Sequence, residues 1–307
     1  MSINTGKLKI LQNLGLDEKI LLTNRRIKEW YEHHDGHVYV SFSGGKDSTV
    51  LLDMVRKLYP EVPAVFFNTG LEFPEIIEFV RRTENVEEIR PKMTFVQVLN
   101  KYGYPVVSKE QSQYISEIRN TKSDKLKNIR LNGQDNKYKS GKISEKWKYL
   151  IDAPFKISHK CCNVMKKNPN KQFMKESNLF GYVGIMAEDS KLRNQMYKRS
   201  GCNAFYDKFP QSRPMMTWKE KDVWEYIKRF NVPYSSIYDM GYKRTGCIFC
   251  MFGVHLEKEP NRFQRLEKTH PQLYKYCMDK LGLKEILQYI GVPYEWRELD
   301  EQMELFD

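Results

Sequence analysis

Six consecutive residues, Ser43-Gly44-Gly45-Lys46-Asp47-Ser48, combine two permissive glycines with two hydroxyls, a cation and a carboxylate. That mixture suits an oxyanion. Glycine lets the main chain approach a phosphate closely and tolerates positive φ. A helix starting just beyond the glycines would present free N–H groups and a favourable dipole to the same anion. Ser43, Ser48 and Thr49 add hydroxyl donors, and Lys46 adds a positive charge. Asp47 reads equally as a Mg2+ ligand or a helix cap. A Walker A loop is excluded, because that motif ends in Gly-Lys-Ser/Thr and here Lys46 is followed by Asp47.

A second chemistry-bearing group is thiol. Of six cysteines, Cys161-Cys162 and the C-x-x-C of Cys247 and Cys250 form two pairs, with Cys202 and Cys277 alone. Four thiolates from two pairs can complete a tetrahedral sulfur site for zinc or a 4Fe–4S cluster. Neighbouring side chains diverge, so adjacent cysteines suit the separate iron corners of a cluster better than one zinc ion. The basic neighbours His159, Lys160, Lys243 and Arg244 would stabilise thiolates. The alternative is four buried, reduced cysteines. Cys202 is a substitute ligand, a reactive thiol or neither, and Cys277 reads as part of a C-terminal helix.

These groups must be positioned by regular elements. His37–Val40 is an extended apolar run, and Val50, Leu51, Met54, Val55 and Leu58 follow the loop at helical spacing. Residues 63–67 read as a second buried strand, ending in the loop Asn68–Glu75, with Pro74 suited to a first helical turn. Residues 181–186 read as a further strand, followed by a charged loop that carries Arg193. Strand–helix alternation predicts an α/β fold, a doubly wound and mostly parallel sheet. In such sheets ligands bind beyond the carboxyl ends of the strands, where both the Ser43–Ser48 and Asn68–Glu75 loops fall. Leu16–His34 is predicted as an opening helix with Ile20, Leu21, Ile27 and Trp30 inward. Thr217-Trp218-Lys219-Glu220 reads as a capping box, with Val223, Trp224, Ile227 and Phe230 inward. Helix is predicted from 261 to 289, with Leu266, Leu273, Tyr276 and Leu281 in the core. The expected organisation is an N-terminal helix over 1–35, a nucleotide-binding domain over 36–240 with a basic insertion at 119–150, and a cysteine-containing helical part over 241–307.

With 40% apolar and 13% aromatic residues, the chain of 307 is no disordered polymer. It has no apolar run of the ~18 residues needed to span a membrane, and residues 1–16 lack a secretory apolar core. The expectation is a cytoplasmic protein without membrane contact. Net charge is +12, which favours an anionic partner. Residues 119–148 hold ten Lys/Arg against three Asp/Glu. This stretch reads as a mobile basic insertion that either solubilises the protein or neutralises nucleic-acid phosphates. Tyr138 and Trp147 within it can stack on bases.

Taken together, the motifs resemble one family. The loop at 43–48, Asn-Thr-Gly-Leu-Glu-Phe-Pro-Glu at 68–75, Tyr104-Pro105 with Ser108-Lys109, and Arg213-Pro214 leading to Trp218–Trp224 are matching pieces. Tyr238–Tyr242 and Arg244-Thr245-Gly246-Cys247 complete the set. They are similar to the phosphoadenosine phosphosulfate (PAPS) reductase-like branch of the PP-loop ATP pyrophosphatases, in the adenine nucleotide α-hydrolase-like superfamily. The resemblance implies ATP and Mg2+ at Ser43, Gly44, Gly45, Lys46, Asp47, Ser48, Asn68, Thr69 and Gly70. It implies a 4Fe–4S cluster, with zinc as the alternative, at Cys161, Cys162, Cys247 and Cys250. Reductases of the branch attack sulfur with a C-terminal cysteine, whereas this sequence has none after Cys277. The ATP pyrophosphatase of Dnd-type DNA phosphorothioation lacks that cysteine too, and related PP-loop enzymes thiolate tRNA. The expected activity is therefore cleavage of ATP to AMP and pyrophosphate, activating a nucleic-acid oxygen for sulfur transfer. Lys46 and Asp47 would serve the reaction, Arg193 and Arg244 the anionic substrate, and a cysteine desulfurase or modification-complex subunits would be partners. Two alternatives stand: a sulfonucleotide reductase using another thiol such as Cys202, and a nucleotide-gated nucleic-acid-binding subunit without turnover.

Overall fold

The computed structural model describes residues 5–135 and 140–297. In chain order the helices and strands are α1 (Thr5–Gln12), α2 (Leu16–His33), β1 (Val38–Ser41), α3 (Lys46–Leu58), β2 (Ala64–Phe67), α4 (Pro74–Arg82) and β3 (Val86–Ile89). Then follow α5 (Phe95–Tyr102), α6 (Lys109–Asn120), α7 (Asp124–Asn132), α8 (Asn168–Ser177), β4 (Phe180–Val183), α9 (Lys191–Ser200), β5 (Asn203–Ala204) and β6 (Gln211–Ser212). The chain closes with α10 (Glu220–Phe230), α11 (Arg262–Thr269), α12 (Pro271–Lys275) and α13 (Leu283–Tyr289). Two compact units result, Met1–Lys92 with Val164–Ile248, and Met93–Asn163 with Phe249–Asp307.

The first unit contains the whole sheet, in the order β3-β2-β1-β4-β6-β5. Every pairing is parallel except β5 with β6. This is the α/β, mostly parallel arrangement expected from the alternation of elements. Val40 pairs with Ala64 on one side and Tyr182 on the other, so β1 is central. The chain leaves β1 towards β2, while β4 lies on the opposite side. That reversal creates a crevice at the carboxyl end of β1. Period-two alternation divides the strands between two cores. Tyr39, Val65 and Phe67 meet Phe173 and Met174 of α8, while α3 buries Val50, Leu51, Leu52, Met54 and Val55.

Helix α2 is fastened to α10 by a buried ion pair. Lys19 Nζ lies 2.5 Å from Asp222 Oδ2, with side-chain exposures of 0% and 3%. Lys19 also donates to the Gln12 carbonyl at 2.9 Å, and Trp218 Nε1 donates to Thr23 Oγ1 at 2.8 Å. Ile27 and Trp30 are buried as expected, but Leu21 is 69% exposed, because α2 turns that face outward. The capping box forms two residues later than predicted: Asp222 accepts from the Lys219 amide at 2.6 Å, and Thr217 is buried upstream. Val223 and Ile227 of α10 are buried, whereas Phe230 is largely exposed beside the helix end.

In the second unit the described part of the basic stretch is structured, not the aperiodic insertion expected. It holds α7 and a 3₁₀ segment, Glu145–Asp152. Arg119 is structural: its guanidinium donates to the carbonyls of Leu150, Ile151, Ala153 and Phe155. Arg130 pairs with Glu117 and lies over the Tyr114 ring. Trp147 is buried edge-on against His255, so it is not a stacking platform for a base. Tyr138 lies outside the described residues. Lys122, Lys125, Lys127, Lys142 and Lys146 remain exposed. The C-terminal region is helical as predicted, with Leu266, Leu281 and Cys277 buried, but Tyr276 points outward.

The buried pair generates a stability prediction. Removing one partner strands an uncompensated charge, so Asp222→Ala should lower unfolding free energy by about 3–5 kcal/mol in urea titration. Arg25→Ala, at the exposed Arg25–Glu29 pair, should change it by less than about 1 kcal/mol. Equal effects would show that the Lys19–Asp222 pair does not hold α2 to α10.

Candidate nucleotide site

The glycine loop lies between the end of β1 and the start of α3. Gly44 adopts φ +69, and a Cβ there would come within 2.9 Å of Val80 and Ile76 side chains. Gly45 has an ordinary φ of −77 and is the N-cap of α3. What forbids a side chain at Gly45 is space: its Cβ would lie 2.9 Å from Thr245 Oγ1. Ser48 braces the loop internally. Its hydroxyl donates to the Gly45 carbonyl at 2.9 Å, accepts from the Ser43 amide at 3.1 Å, and sits 3.0 Å from Ser43 Oγ. Gly184, just past β4, closes the other side; a Cβ there would lie 2.9 Å from the Asp47 carbonyl and Ser48 Cα.

Lys46 is buried at the start of α3. Its amide donates to the Tyr238 hydroxyl at 2.8 Å. Its ammonium donates to the Lys243 carbonyl at 3.0 Å and lies 3.3 Å from Glu220 Oε1. Asp47 Oδ1 is buried without a hydrogen-bond partner, 3.7 Å from Lys46 Nζ. Burial raises the Asp47 carboxyl above its ordinary pKa; Lys46 opposes this, and Asp189 and Glu220 add to it. An orphaned buried carboxylate oxygen beside a phosphate-type loop is a fitting ligand for a hard cation. Helix α3 has no side-chain cap bond from Gly45. Arg193 and Arg244 converge on Asp189: Arg193 pairs with its Oδ2, and Arg244 Nη2 lies 3.3 Å from its Oδ1. The start of α3 with Lys46 and Asp47, the start of α9 with Arg193, and the segment with Arg244 thus meet in one charged cluster.

In the 68–75 loop, Asn68 and Thr69 are spent on the loop itself. Asn68 accepts from the Gly70 amide at 2.8 Å and donates to Glu88, while the Thr69 hydroxyl donates to Glu72 at 2.7 Å. Gly70 adopts φ +73. The loop is fastened at its far side, where the Ile248 amide donates to the Leu71 carbonyl at 2.8 Å.

A cavity of about 650 Å³ opens at this edge of the first unit. Ser41, Phe42 and Ser43 of the β1 end line it, with Phe66, Phe67, Glu72, Phe73 and Ile76. Its far wall is basic: Lys166, Lys167 and Lys171 near α8, Arg199 of α9 and Arg213 after β6, with Asp207, Phe209 and Gln211. Five cations face two carboxylates. Of the expected nucleotide-binding residues only Ser43 is in this lining. The basic wall was missed from sequence because three separate segments supply it. Arg213 was visible in the matched Arg-Pro motif, but without a role.

All six cysteines are free of disulfides. Cys161 and Cys162 Sγ atoms lie 3.9 Å apart. Cys161, Cys162 and Cys250 belong to the second unit and Cys247 to the first. Among the described residues no three His, Cys, Asp or Glu side chains converge on a single metal-ion position. The donor chemistry, four thiols in two sequence pairs, fits a soft-metal or iron–sulfur group. The remaining two thiols are disarmed. Burial pushes Cys202 up to about 11, with Arg26 and Arg213 opposing, and burial pushes Cys277 up to about 12.

A raised thiol stays protonated through neutral pH, and only the thiolate attacks. Cys202, raised from 9.0 to about 11, should therefore react with iodoacetamide at pH 8 about 100-fold more slowly than an ordinary thiol. Its rate should climb only as pH passes that raised value. Mass-spectrometric alkylation kinetics read this directly, and labelling of Cys202 at an ordinary rate would refute it.

No helix among the described residues is long and apolar enough to cross a membrane. The chain is similar to two uncharacterized proteins of Methanocaldococcus jannaschii, at 24% identity over 94% of this chain and 28% over 81%. It spans 58% and 42% of their lengths. It is also similar to adenosine 5'-phosphosulfate reductase of Lysinibacillus sphaericus, at 25% identity over 78% of this chain and 83% of that protein. Among solved structures, the phosphate complex of a PAPS reductase from Candida auris aligns at TM-score 0.42 and 18% identity, covering 80% of this chain and 97% of that one. The U34-tRNA thiolase NcsA from Methanococcus maripaludis, with its 4Fe–4S cluster, aligns at TM-score 0.37 and 16% identity, covering 94% and 87%. Likeness at these scores carries no functional weight. The decisive match is to the phosphoadenosine phosphosulfate reductase domain, over residues 37–129 and 106–252. That is more than half of the chain, and the protein belongs to this family.

Proposed function

We propose that the first unit binds ATP and that the chain cleaves it to AMP and pyrophosphate, activating an oxygen of a nucleic acid for sulfur transfer. One observation carries the reading: an aromatic, basic cavity opens at the end of β1, where the glycine loop begins, and Ser43 of that loop lines it. The cavity volume of about 650 Å³ lies within the usual range for small-molecule sites. In this reading the loop amides hold the pyrophosphate portion, and Lys46 offsets charge on the departing oxygens. Asp47 would hold Mg2+, which would offset phosphate charge there. Arg193 and Arg244 would exchange Asp189 for the anionic acceptor. The acceptor oxygen attacks the α-phosphorus as the bond to pyrophosphate breaks. The terminal sulfur of a partner persulfide, as a cysteine desulfurase carries, then displaces AMP and leaves the acceptor in a mixed disulfide with the partner cysteine; a second thiol attacks that cysteine's sulfur, forms the disulfide with it and releases the thiolated acceptor. Cys161, Cys162, Cys247 and Cys250 would hold a 4Fe–4S cluster or zinc, whose chemistry is structural support or sulfur handling. Exposed lysines of residues 122–146 favour a nucleic-acid partner, since phosphate neutralisation drives such binding.

A relative named adenosine 5'-phosphosulfate reductase supports a second reading, in which the cavity takes a sulfonucleotide. The high pKa of Cys202 counts against Cys202 as its nucleophile.

The test is product analysis of labelled ATP with anaerobically purified protein and Mg2+, with and without DNA or RNA. AMP and pyrophosphate should form in equal amounts, faster with the true acceptor, and Lys46→Ala should slow formation by about 100-fold or more. Intact ATP beside adenylylsulfate turnover would overturn the proposal in favour of the second reading.

A further inference from the structure

The 3₁₀ segment Glu145–Asp152 sorts its side chains by threes, because residues three apart eclipse in such a helix. Trp147, Leu150 and the following Ala153 turn inward and are buried, while Lys146, Tyr149 and Asp152 share the exposed face. Tyr149 is 43% exposed. Its ring lies 5.7 Å from that of Tyr289, the last residue of α13, which is itself 39% exposed. A lone exposed tyrosine needs no explanation, but two in contact make a patch.

The pair is fixed from behind. Phe155 meets the Tyr289 ring edge-on at 5.3 Å and the Tyr104 ring at 6.2 Å. The Tyr104 hydroxyl donates to the Leu281 carbonyl at 2.9 Å, and the Phe155 carbonyl is one of those that Arg119 gathers. Trp147 packs against Tyr149 at 6.2 Å. Rigid tyrosines offer ring area without the ordering cost of a flexible side chain.

Charge decides which partner this surface fits. Lys146 shares the face of Tyr149, and the Lys148 side chain is 41% exposed. The acidic neighbours are partly offset: Glu145 pairs with Lys148 at 2.9 Å, and Asp152 interacts with the Arg119 guanidinium. Exposed Lys122, Lys125, Lys127 and Lys142 belong to the same unit. Aromatic rings among cations suit unstacked bases with their phosphates alongside, the pattern of single-strand binding. A duplex keeps its bases stacked inside and would leave the rings idle.

We propose that Tyr149 and Tyr289 form a base-stacking site for single-stranded nucleic acid, with Lys146 and Lys148 on the flanking phosphates. The site rests on the nucleic-acid reading above and names what the second unit grips, an unpaired base.

Stacking uses the base face, which DNA and RNA share, so fluorescence anisotropy of a labelled oligothymidylate with the full chain, without ATP, tests it. Tyr149→Leu and Tyr289→Leu should each weaken binding by about tenfold. Tyr149→Phe and Tyr289→Phe keep the ring and should stay within about twofold of the wild type. On an oligomer of abasic sites the leucine variants should bind as the wild type does, because no base is there to lose. Lys146→Gln should lower the slope of log K against log salt by about 0.7, and the tyrosine variants should leave it unchanged. Equal losses on the abasic strand would mean that the tyrosines only support the fold, and would overturn the proposal. Leucine variants without effect on a strand that the wild type binds would sink the site alone. A wild type that binds no single strand would overturn the site and the nucleic-acid reading together.

Discussion

The site hangs on one hydroxyl. Ser48 Oγ bonds the Gly45 carbonyl and the Ser43 amide, and it touches Ser43 Oγ. This fixes the turn that joins β1 to α3 before any ligand arrives. The glycines on either side are needed because Val80, Ile76 and Thr245 fill the space that side chains would occupy. Gly184 lets the end of β4 press against the first turn of α3. A preset loop of this kind avoids the ordering cost of binding, which is where many flexible sites lose affinity.

Around this loop the charges are arranged as pairs of opposite sign. Lys46 leans on Glu220 and a carbonyl, Arg193 and Arg244 share Asp189, and Arg199 and Arg213 share Asp207. Each cation lies within 4 Å of a carboxylate that offsets its charge. For the two buried ones, Lys46 and Arg213, the nearby carboxylate lowers the cost of burial. Asp47 keeps a buried oxygen without a hydrogen-bond partner beside Lys46.

Much of this could be read from the sequence, for physical reasons. The strands at 38–41 and 64–67 are short apolar runs, and the loop between β1 and α3 has local chemistry that needs no tertiary context. The same holds for Pro74 at the start of α4. The basic wall was not legible, because Lys171, Arg199 and Arg213 are brought together only by the order of β4, β5 and β6. Helix α7 escaped notice because it buries none of its residues and so lacks an apolar stripe. Trp147 was misread for the opposite reason: its flanking lysines suggested a surface, yet its ring faces His255. Two independent requirements shape Lys219–Asp222, a helix cap and the ion pair with Lys19, and the second moved the capping box from its expected position.

The central claim is that a nucleotide occupies the crevice beyond β1 with its phosphates on the glycine loop. The most direct measurement is a crystal structure of the chain soaked with α,β-methylene ATP. The account predicts phosphate density against the amides of residues 43–48 and the base among Phe66, Phe67 and Phe73. A nucleotide bound elsewhere, or one whose phosphates lie away from Gly44 and Gly45, would contradict it.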